Sequence, residues 1–174
     1  MNTTSPMHFS FLMMPEYTLS AFSNAIGILR MANRLSMRKL YSWSIHSLDG
    51  NPVTSSAGLK LAIDGSLDDA KFTNILMICG GYSIKKYCTK ELIEGLRRIS
   101  KRKIPLGGIC TGTYALASAG LMDGYRCTIH WENIASFREE YPGLDISSGL
   151  FVIDRDRYTC CLLYTSPSPR DRIR

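Results

Sequence analysis

The stretch IPLGGICTGTYALASAG, residues 104–120, decides the fold. Its first part is a short apolar run that ends at Cys110, as a buried strand of a parallel sheet does. Its second part, residues 113–119, has the composition of a compact helix and ends at Gly120. Residues 108–112 form a G-x-C-x-G pattern at the junction, the thiol counterpart of the G-x-S-x-G elbow of strand-to-helix nucleophiles. The stretch therefore predicts a strand, a sharp turn that carries Cys110, and a helix.

Cys110 is the candidate nucleophile of this turn. Flanking glycines suit a strained backbone against which a helix packs closely. A cysteine at the first turn of a helix is expected to have a lowered pKa, because the helix dipole stabilises the thiolate. The N–H of Thr111, with that of Gly80 or Gly81, is expected to form an oxyanion hole. The alternative is that Cys110 is only a small residue tolerated at a tight turn.

The rest of the chain alternates between strand and helix patterns. Apolar runs at residues 8–14, 42–48 and 74–79 are typical of strands, and apolar residues at helical spacing follow the first run up to about Asn33. Such alternation predicts an α/β fold with a mostly parallel sheet and helices on both faces. Ligands of such sheets bind beyond the carboxyl ends of the strands. Pro15-Glu16, Gly80-Gly81 and Cys110 are therefore expected to converge there.

Composition limits the function classes. The 174 residues suffice for one domain, and the formal net charge of +6 is a weak indication of nucleic acid, since three arginines lie in the last five residues. Six cysteines without a C-x-x-C pair indicate reduced thiols and a cytoplasmic protein. No apolar run reaches membrane-spanning length. His8 and His46 have no ligand partners at metal spacing, so neither a metal site nor a cofactor is expected.

Further motifs resemble a known superfamily. The Cys110 elbow, the Cys-Gly-Gly of residues 79–81 and the segment 119–131 (AGLMDGYRCTIHW) resemble the ThiJ/PfpI superfamily, which is class I glutamine amidotransferase-like. More narrowly, residues 29–34 (LRMANR), 47–50 (SLDG) and 128–133 (TIHWEN) resemble the N-terminal domain of AraC-family regulators of the GlxA type. The resemblance runs from about His8 to Cys160.

The resemblance implies a flavodoxin-like three-layer sandwich that senses a small-molecule effector. It also implies a homodimer, and a C-terminal helix-turn-helix module, absent from this chain, as the part that binds DNA. Related members respond to small nitrogen-containing metabolites, so an effector of that class is expected. Two alternatives stay open: a cysteine-dependent hydrolase, hydratase or deglycase, and an amidotransferase-like subunit.

The enzymes of the superfamily place an acid at the start of the first helix, beside the nucleophile. The matching residues here, Leu19-Ser20-Ala21, include no carboxylate, which favours the sensor. Glu16 lies a turn earlier and is either a solvated turn residue or part of the pocket. His130 is either a base for Cys110 or a hydrogen-bonded structural residue. Trp131 is either a pocket wall or a core residue.

The end of the chain differs from the rest. Residues 161–174 (CLLYTSPSPRDRIR) have no helical period, two prolines at alternate positions and three arginines. We therefore expect a ThiJ/PfpI-like domain over residues 1–160 that lacks its last helix, and a non-native or disordered tail over 161–174.

Overall fold

The computed structural model describes residues 5–70 and 73–161. The expected tail therefore lies almost wholly outside the described residues. The strands are β1 (Met7–Met13), β2 (Tyr41–Ser47), β3 (Val53–Thr54), β4 (Lys60–Leu61), β5 (Gly65–Ser66), β6 (Ile75–Cys79), β7 (Leu106–Ile109), β8 (Arg126–Cys127), β9 (Asp145–Ile146), β10 (Phe151–Asp154) and β11 (Arg157–Cys160). The helices are α1 (Leu19–Ser36), α2 (Ile84–Tyr87), α3 (Lys90–Ser100), α4 (Gly112–Ser118) and α5 (Ile134–Glu140), with 3₁₀ turns at Leu67–Asp69 and Trp131–Asn133.

The central sheet of the described residues has the strand order β10-β11-β7-β6-β1-β2-β5. Every neighbouring pair is parallel except the edge pair β10–β11, which is antiparallel. Small pairs form beside it, β3 with β4 and β8 with β9. The mostly parallel sheet confirms the predicted fold class. The carboxyl ends of β1, β6 and β7 lie side by side at the centre of the sheet, where parallel α/β folds place their ligand sites.

Strand β1 shows why the sheet is covered on both faces. Its successive side chains point to opposite faces. Phe11 and Met13 pack with α1 through Phe22 in one core, whereas Leu12 packs in the other core with α3, α4 and α5. All these β1 residues are fully buried. Because both faces of the strand are buried, successive residues are apolar, which accounts for the continuous apolar run in the sequence.

Two local features flank the sheet. At Ser66 a capping box begins the first 3₁₀ turn, and in it Ser66 and Asp69 satisfy each other's backbone N–H groups. The segment 53–63 contains the short strand pair of β3 and β4. None of the helices in the described segments is both long enough and apolar enough to cross a membrane.

Candidate functional site

Cys110 lies between the end of β7 and the start of α4, as the elbow pattern predicted. Its φ is +59°, a left-handed value that side chains other than glycine rarely adopt. Its N–H donates to the carbonyl of Cys160 on the neighbouring strand β11, at 2.9 Å. Its carbonyl accepts from the N–H of His130, at 3.1 Å. The backbone on both sides therefore holds the cysteine in a strained conformation of the kind found at functional sites.

Glycines allow the elbow to pack against the neighbouring strand. A Cβ at Gly112 would lie 2.0 Å from the carbonyl oxygen of Ile78, and one at Gly80 would lie 2.2 Å from the backbone nitrogen of Gly112. No side chain fits at such distances. The first turn of α4 is thereby pressed onto the end of β6, and this contact fixes where Cys110 points.

A glycine also allows the loop after β1 to lie close to Cys110. A Cβ at Gly81 would lie 2.0 Å from the carbonyl oxygen of Glu16, and the N–H of Thr18 donates to the carbonyl of Gly80 at 3.1 Å. This contact brings the start of α1 over the elbow. The hydroxyl of Thr18 then lies 3.5 Å from the sulfur of Cys110 and is hydrogen-bonded to it.

The expectation of a lowered pKa at Cys110 is wrong. Burial raises the pKa of the thiol above its ordinary value, and this effect outweighs the hydrogen bonds from Thr18 and from the N–H of Thr111, which lower it. The side chain is only 4% exposed. Helix α4 has seven residues, and its amides supply too little stabilisation of a thiolate to offset desolvation. At neutral pH the thiol is therefore protonated and a weak nucleophile.

The predicted base, His130, makes no hydrogen bond to the thiol among the described residues. His130 is buried and lies on the wall of the same cleft. Its Nδ1 lies 3.8 Å from a carboxylate oxygen of Glu132, and its ring packs against Trp131 at 5.9 Å between centroids. Among the described side chains, the one hydrogen-bonded to the sulfur of Cys110 is that of Thr18. His130 is thus a structural neighbour of the elbow through its backbone.

The predicted oxyanion hole is only partly supported. The N–H of Gly80 donates to the carbonyl of Ile109 at 3.1 Å and so is not available to a ligand. Gly81 lines the cleft, and its carbonyl accepts from the hydroxyl of Thr111 at 2.7 Å, a contact that does not involve the Gly81 N–H. The N–H of Thr111 is directed at the thiol. Gly80 therefore acts in packing the elbow, and the N–H groups of Thr111 and Gly81 stay predicted donors.

An open cleft of about 1550 Å³ lies over Cys110. The loop after β1 forms one wall, the loop from Ser47 to Gly58 forms another, and residues from Gly81 to Glu91 close a third side. Cys110, Thr111 and His130 lie at its base. A volume of this size accommodates a small metabolite with room for water.

Glu16 lines this cleft, so its position permits its predicted role in the pocket. It follows Pro15 in a turn closed by the N–H of Tyr17, which donates to the carbonyl of Met14 at 3.1 Å. Its φ is +60°, a value that such turns normally give to glycine or asparagine. Its Oε2 atom is buried and has no hydrogen-bond partner among residues 5–70 and 73–161.

The expectations for Trp131 are both wrong. The side chain is 51% exposed, so it is not a core residue, and it is not part of the cleft wall. The 3₁₀ turn at Trp131–Asn133 directs it outward while its neighbours His130 and Glu132 line the cleft.

Sequence reasoning missed two features of the site. One is Thr18, which directly precedes Leu19-Ser20-Ala21, the segment that matches the position of the acid in the enzymes. The other is the wall built by the loop from Ser47 to Gly58. The Asp49-Gly50-Asn51-Pro52 turn was a signal of that loop, but turn chemistry does not show which way a loop folds over the sheet.

Two curated relatives of this chain are HTH-type transcriptional regulators. It is 41% identical over 155 residues to the HTH-type transcriptional regulator GbdR of Pseudomonas aeruginosa, a match that covers 89% of this chain and 42% of GbdR. It is 32% identical over 151 residues to the HTH-type transcriptional regulator GlxA of Rhizobium meliloti, covering 86% of this chain and 47% of GlxA. The chain thus spans less than half the length of these relatives.

Solved structures and a family model agree with the fold. An AraC family transcriptional regulator from Pseudomonas putida superposes with a TM-score of 0.81 at 32% identity, covering 95% of this chain and 86% of that one. Drosophila melanogaster DJ-1β superposes with a TM-score of 0.72 at 17% identity, covering 89% and 82%, and this likeness concerns the fold alone. The model of the DJ-1/PfpI family matches residues 23–174. The chain therefore belongs to the DJ-1/PfpI family.

Proposed function

We propose that this chain is the effector-sensing part of an AraC-type transcriptional regulator, with the cleft over Cys110 as the effector site. The observation that carries the proposal is an open cleft whose cysteine is buried, has a pKa raised by that burial, and is hydrogen-bonded to the neutral Thr18. The arrangement keeps the geometry of a nucleophile elbow, but no acid or base among the described side chains is hydrogen-bonded to its sulfur. The names of the regulators to which the chain is similar support the same function.

Within this proposal the effector is a small nitrogen-containing metabolite, and DNA is bound by a part of the regulator that this chain does not span. The chain acts in the cytoplasm, which suits its six free thiols. It pairs as a homodimer. Support for an interface comes from the outer side of α1, where Ile28, Met31 and Leu35 are exposed at helical spacing.

A ligand screen tests the effector site. The wild-type chain is heated with amino acids, amines and quaternary ammonium compounds, and a binder raises its melting temperature. Ser56→Trp fills the cleft from an exposed wall position, and Ser23→Trp adds the same side chain on the outer surface of α1. A true effector stabilises the wild type and Ser23→Trp but not Ser56→Trp. Equal stabilisation of all three proteins would place the binding elsewhere.

A second function, a cysteine-dependent hydrolase, hydratase or deglycase, is favoured by one observation. The left-handed backbone of Cys110 is a strained feature that a nucleophile elbow explains. The raised pKa of the thiol argues against this function, and so does the lack of a base hydrogen-bonded to the sulfur among the described side chains. Turnover of glyoxals, isonitriles or amides by the wild type, with loss of that turnover in Cys110→Ser, would replace the sensor with an enzyme.

A further inference from the structure

The cleft over Cys110 has a charge opposite to that of the chain. Four carboxylate residues line it, and the described lining residues include neither lysine nor arginine. These residues are Glu16, Asp49, Glu91 and Glu132. The whole chain has a formal net charge of +6. A cleft lined by one sign of charge concentrates ligands of the opposite sign.

Three of the four carboxylates are already satisfied by protein or water. Asp49 accepts hydrogen bonds from Ser47 and Asn51 through both of its oxygens. Glu91 and Glu132 lie at exposed positions of the rim, where water solvates them and salt screens their charge. These residues strengthen the negative field of the cleft but do not define a contact point.

Glu16 differs from the other three. One of its carboxylate oxygens is buried without a partner in the described part of the chain, a state that is unfavourable unless a donor or an opposite charge compensates it. Its backbone is held in place by its N–H, which donates to the carbonyl of Thr54 at 2.9 Å, and by its carbonyl, which accepts from the N–H of Tyr82 at 3.4 Å. The fold thus holds a carboxylate at the cleft wall that lacks a counter-ion among the residues described there.

We infer that the cleft binds a small organic cation, whose ammonium or amidinium group acts as the counter-ion of Glu16. The inference deepens the proposed effector site and rests on it. The described wall offers no lysine or arginine to a carboxylate group, so a net cation is preferred over a zwitterionic amino acid of the same length. Apolar wall residues, including Met14, Leu48 and Val53, contact the carbon skeleton of the ligand.

Four six-carbon probes test the inference on the full chain. They are hexylammonium, 6-aminohexanoate, hexanoate and hexanol, and binding is followed by calorimetry and by NMR shifts of the Gly81 and Thr111 amides. We expect hexylammonium to bind at least about tenfold more tightly than each of the others, as a charge-assisted contact provides. Glu16→Gln removes the charge at constant size and is expected to weaken hexylammonium about tenfold. Glu94→Gln, an equal charge change on α3 outside the cleft, is expected to change it less than twofold.

Three outcomes each overturn the inference. The first is that hexanoate or 6-aminohexanoate binds as tightly as hexylammonium, and the second is that Glu16→Gln leaves the affinity for hexylammonium unchanged. The third is that hexylammonium fails to shift the two amides. Any of these leaves the proposed function standing if the ligand screen finds another compound whose binding is abolished by Ser56→Trp. A screen without such a compound defeats the proposed function itself.

Discussion

Thr18 and Cys110 are 92 positions apart in the sequence, yet the Thr18 hydroxyl lies 3.5 Å from the Cys110 sulfur and is hydrogen-bonded to it. This contact lowers the pKa of a thiol that burial raises. A threonine gives the sulfur a neutral partner that neither donates a proton as an acid does nor removes one as a base does. The elbow therefore keeps its shape while burial, and not the contact with Thr18, keeps the pKa of the thiol high.

Substitution of Thr18 tests the contribution of its hydroxyl. Thr18→Val keeps the shape of the side chain and removes the hydrogen bond that stabilises the thiolate. The pKa of Cys110 is therefore expected to rise further, and its alkylation by iodoacetamide at pH 8 to slow by about fivefold, the effect of one hydrogen bond. Peptide-resolved mass spectrometry separates Cys110 from the other five cysteines. An alkylation rate equal to that of the wild type would show that the hydroxyl does not act on the thiol.

His130 gives the complementary test. Its ring has no hydrogen bond to the sulfur in the structure, and its contact with Cys110 is made by the backbone N–H. His130→Gln keeps that N–H, so the alkylation rate of Cys110 is expected to change less than about twofold, below the effect of one hydrogen bond. The same mass-spectrometric measurement applies. A fall of tenfold or more would restore His130 as the base of a Cys–His pair.

The elbow glycines are expected to be intolerant of a methyl group. In Gly112→Ala the added Cβ would lie 2.0 Å from the carbonyl oxygen of Ile78, so the turn must move, at a loss of at least about 2 kcal/mol in unfolding free energy. Gly27→Ala, in the middle of α1, meets nothing within 4 Å and is expected to stabilise by about 0.5–1 kcal/mol. Urea denaturation measures both changes. Equal stability of the two variants would contradict the close approach of α4 and β6.

Buried thiols predict a loss of stability at alkaline pH. Burial raises the pKa of Cys127 from 9.0 to about 11. Above pH 9 the unfolded chain releases this proton while the folded chain retains it, so stability falls as pH rises and stops falling above the folded pKa. Between pH 8 and pH 10 the contribution of Cys127 is about 1.4 kcal/mol.

Urea denaturation at pH 8 and pH 10, under a reducing agent, measures this contribution. Cys127→Ala is less stable at both pH values, because a buried side chain is shortened. Its loss of unfolding free energy between pH 8 and pH 10 is expected to be smaller than that of the wild type by about 1.4 kcal/mol. Groups other than Cys127 titrate alike in both proteins and cancel. An equal decrease in the two proteins would mean that Cys127 titrates normally in the folded state.

The sequence was informative where local pattern determines structure. The apolar run of β1, the elbow at Cys110 and the glycine pair at 80–81 each follow from residues close together in the chain, and all were predicted. Their convergence also followed, because parallel strands bring their carboxyl ends to one edge. Side-chain directions did not follow. Trp131 and Glu132 are neighbours, yet one faces outward and the other lines the cleft.

The state of the thiol was predicted wrongly for a related reason. The helix after Cys110 was visible in the sequence, whereas the depth of burial depends on the loop that carries Thr18 and on the strand that ends at Cys160. These segments are distant in the chain, and they contact Cys110 through the hydroxyl of Thr18 and the carbonyl of Cys160. A pattern of five residues contains no information about them.

The left-handed backbone of Cys110 has a consequence over evolutionary time. A non-glycine residue in this conformation costs about 1–2 kcal/mol, a noticeable share of the stability of a small domain. Glycine at this turn would relieve that strain. Lineages in which the thiol has no use are thus expected to drift toward glycine, so persistence of cysteine here among descendants of one ancestor would indicate that natural selection still acts on its sulfur.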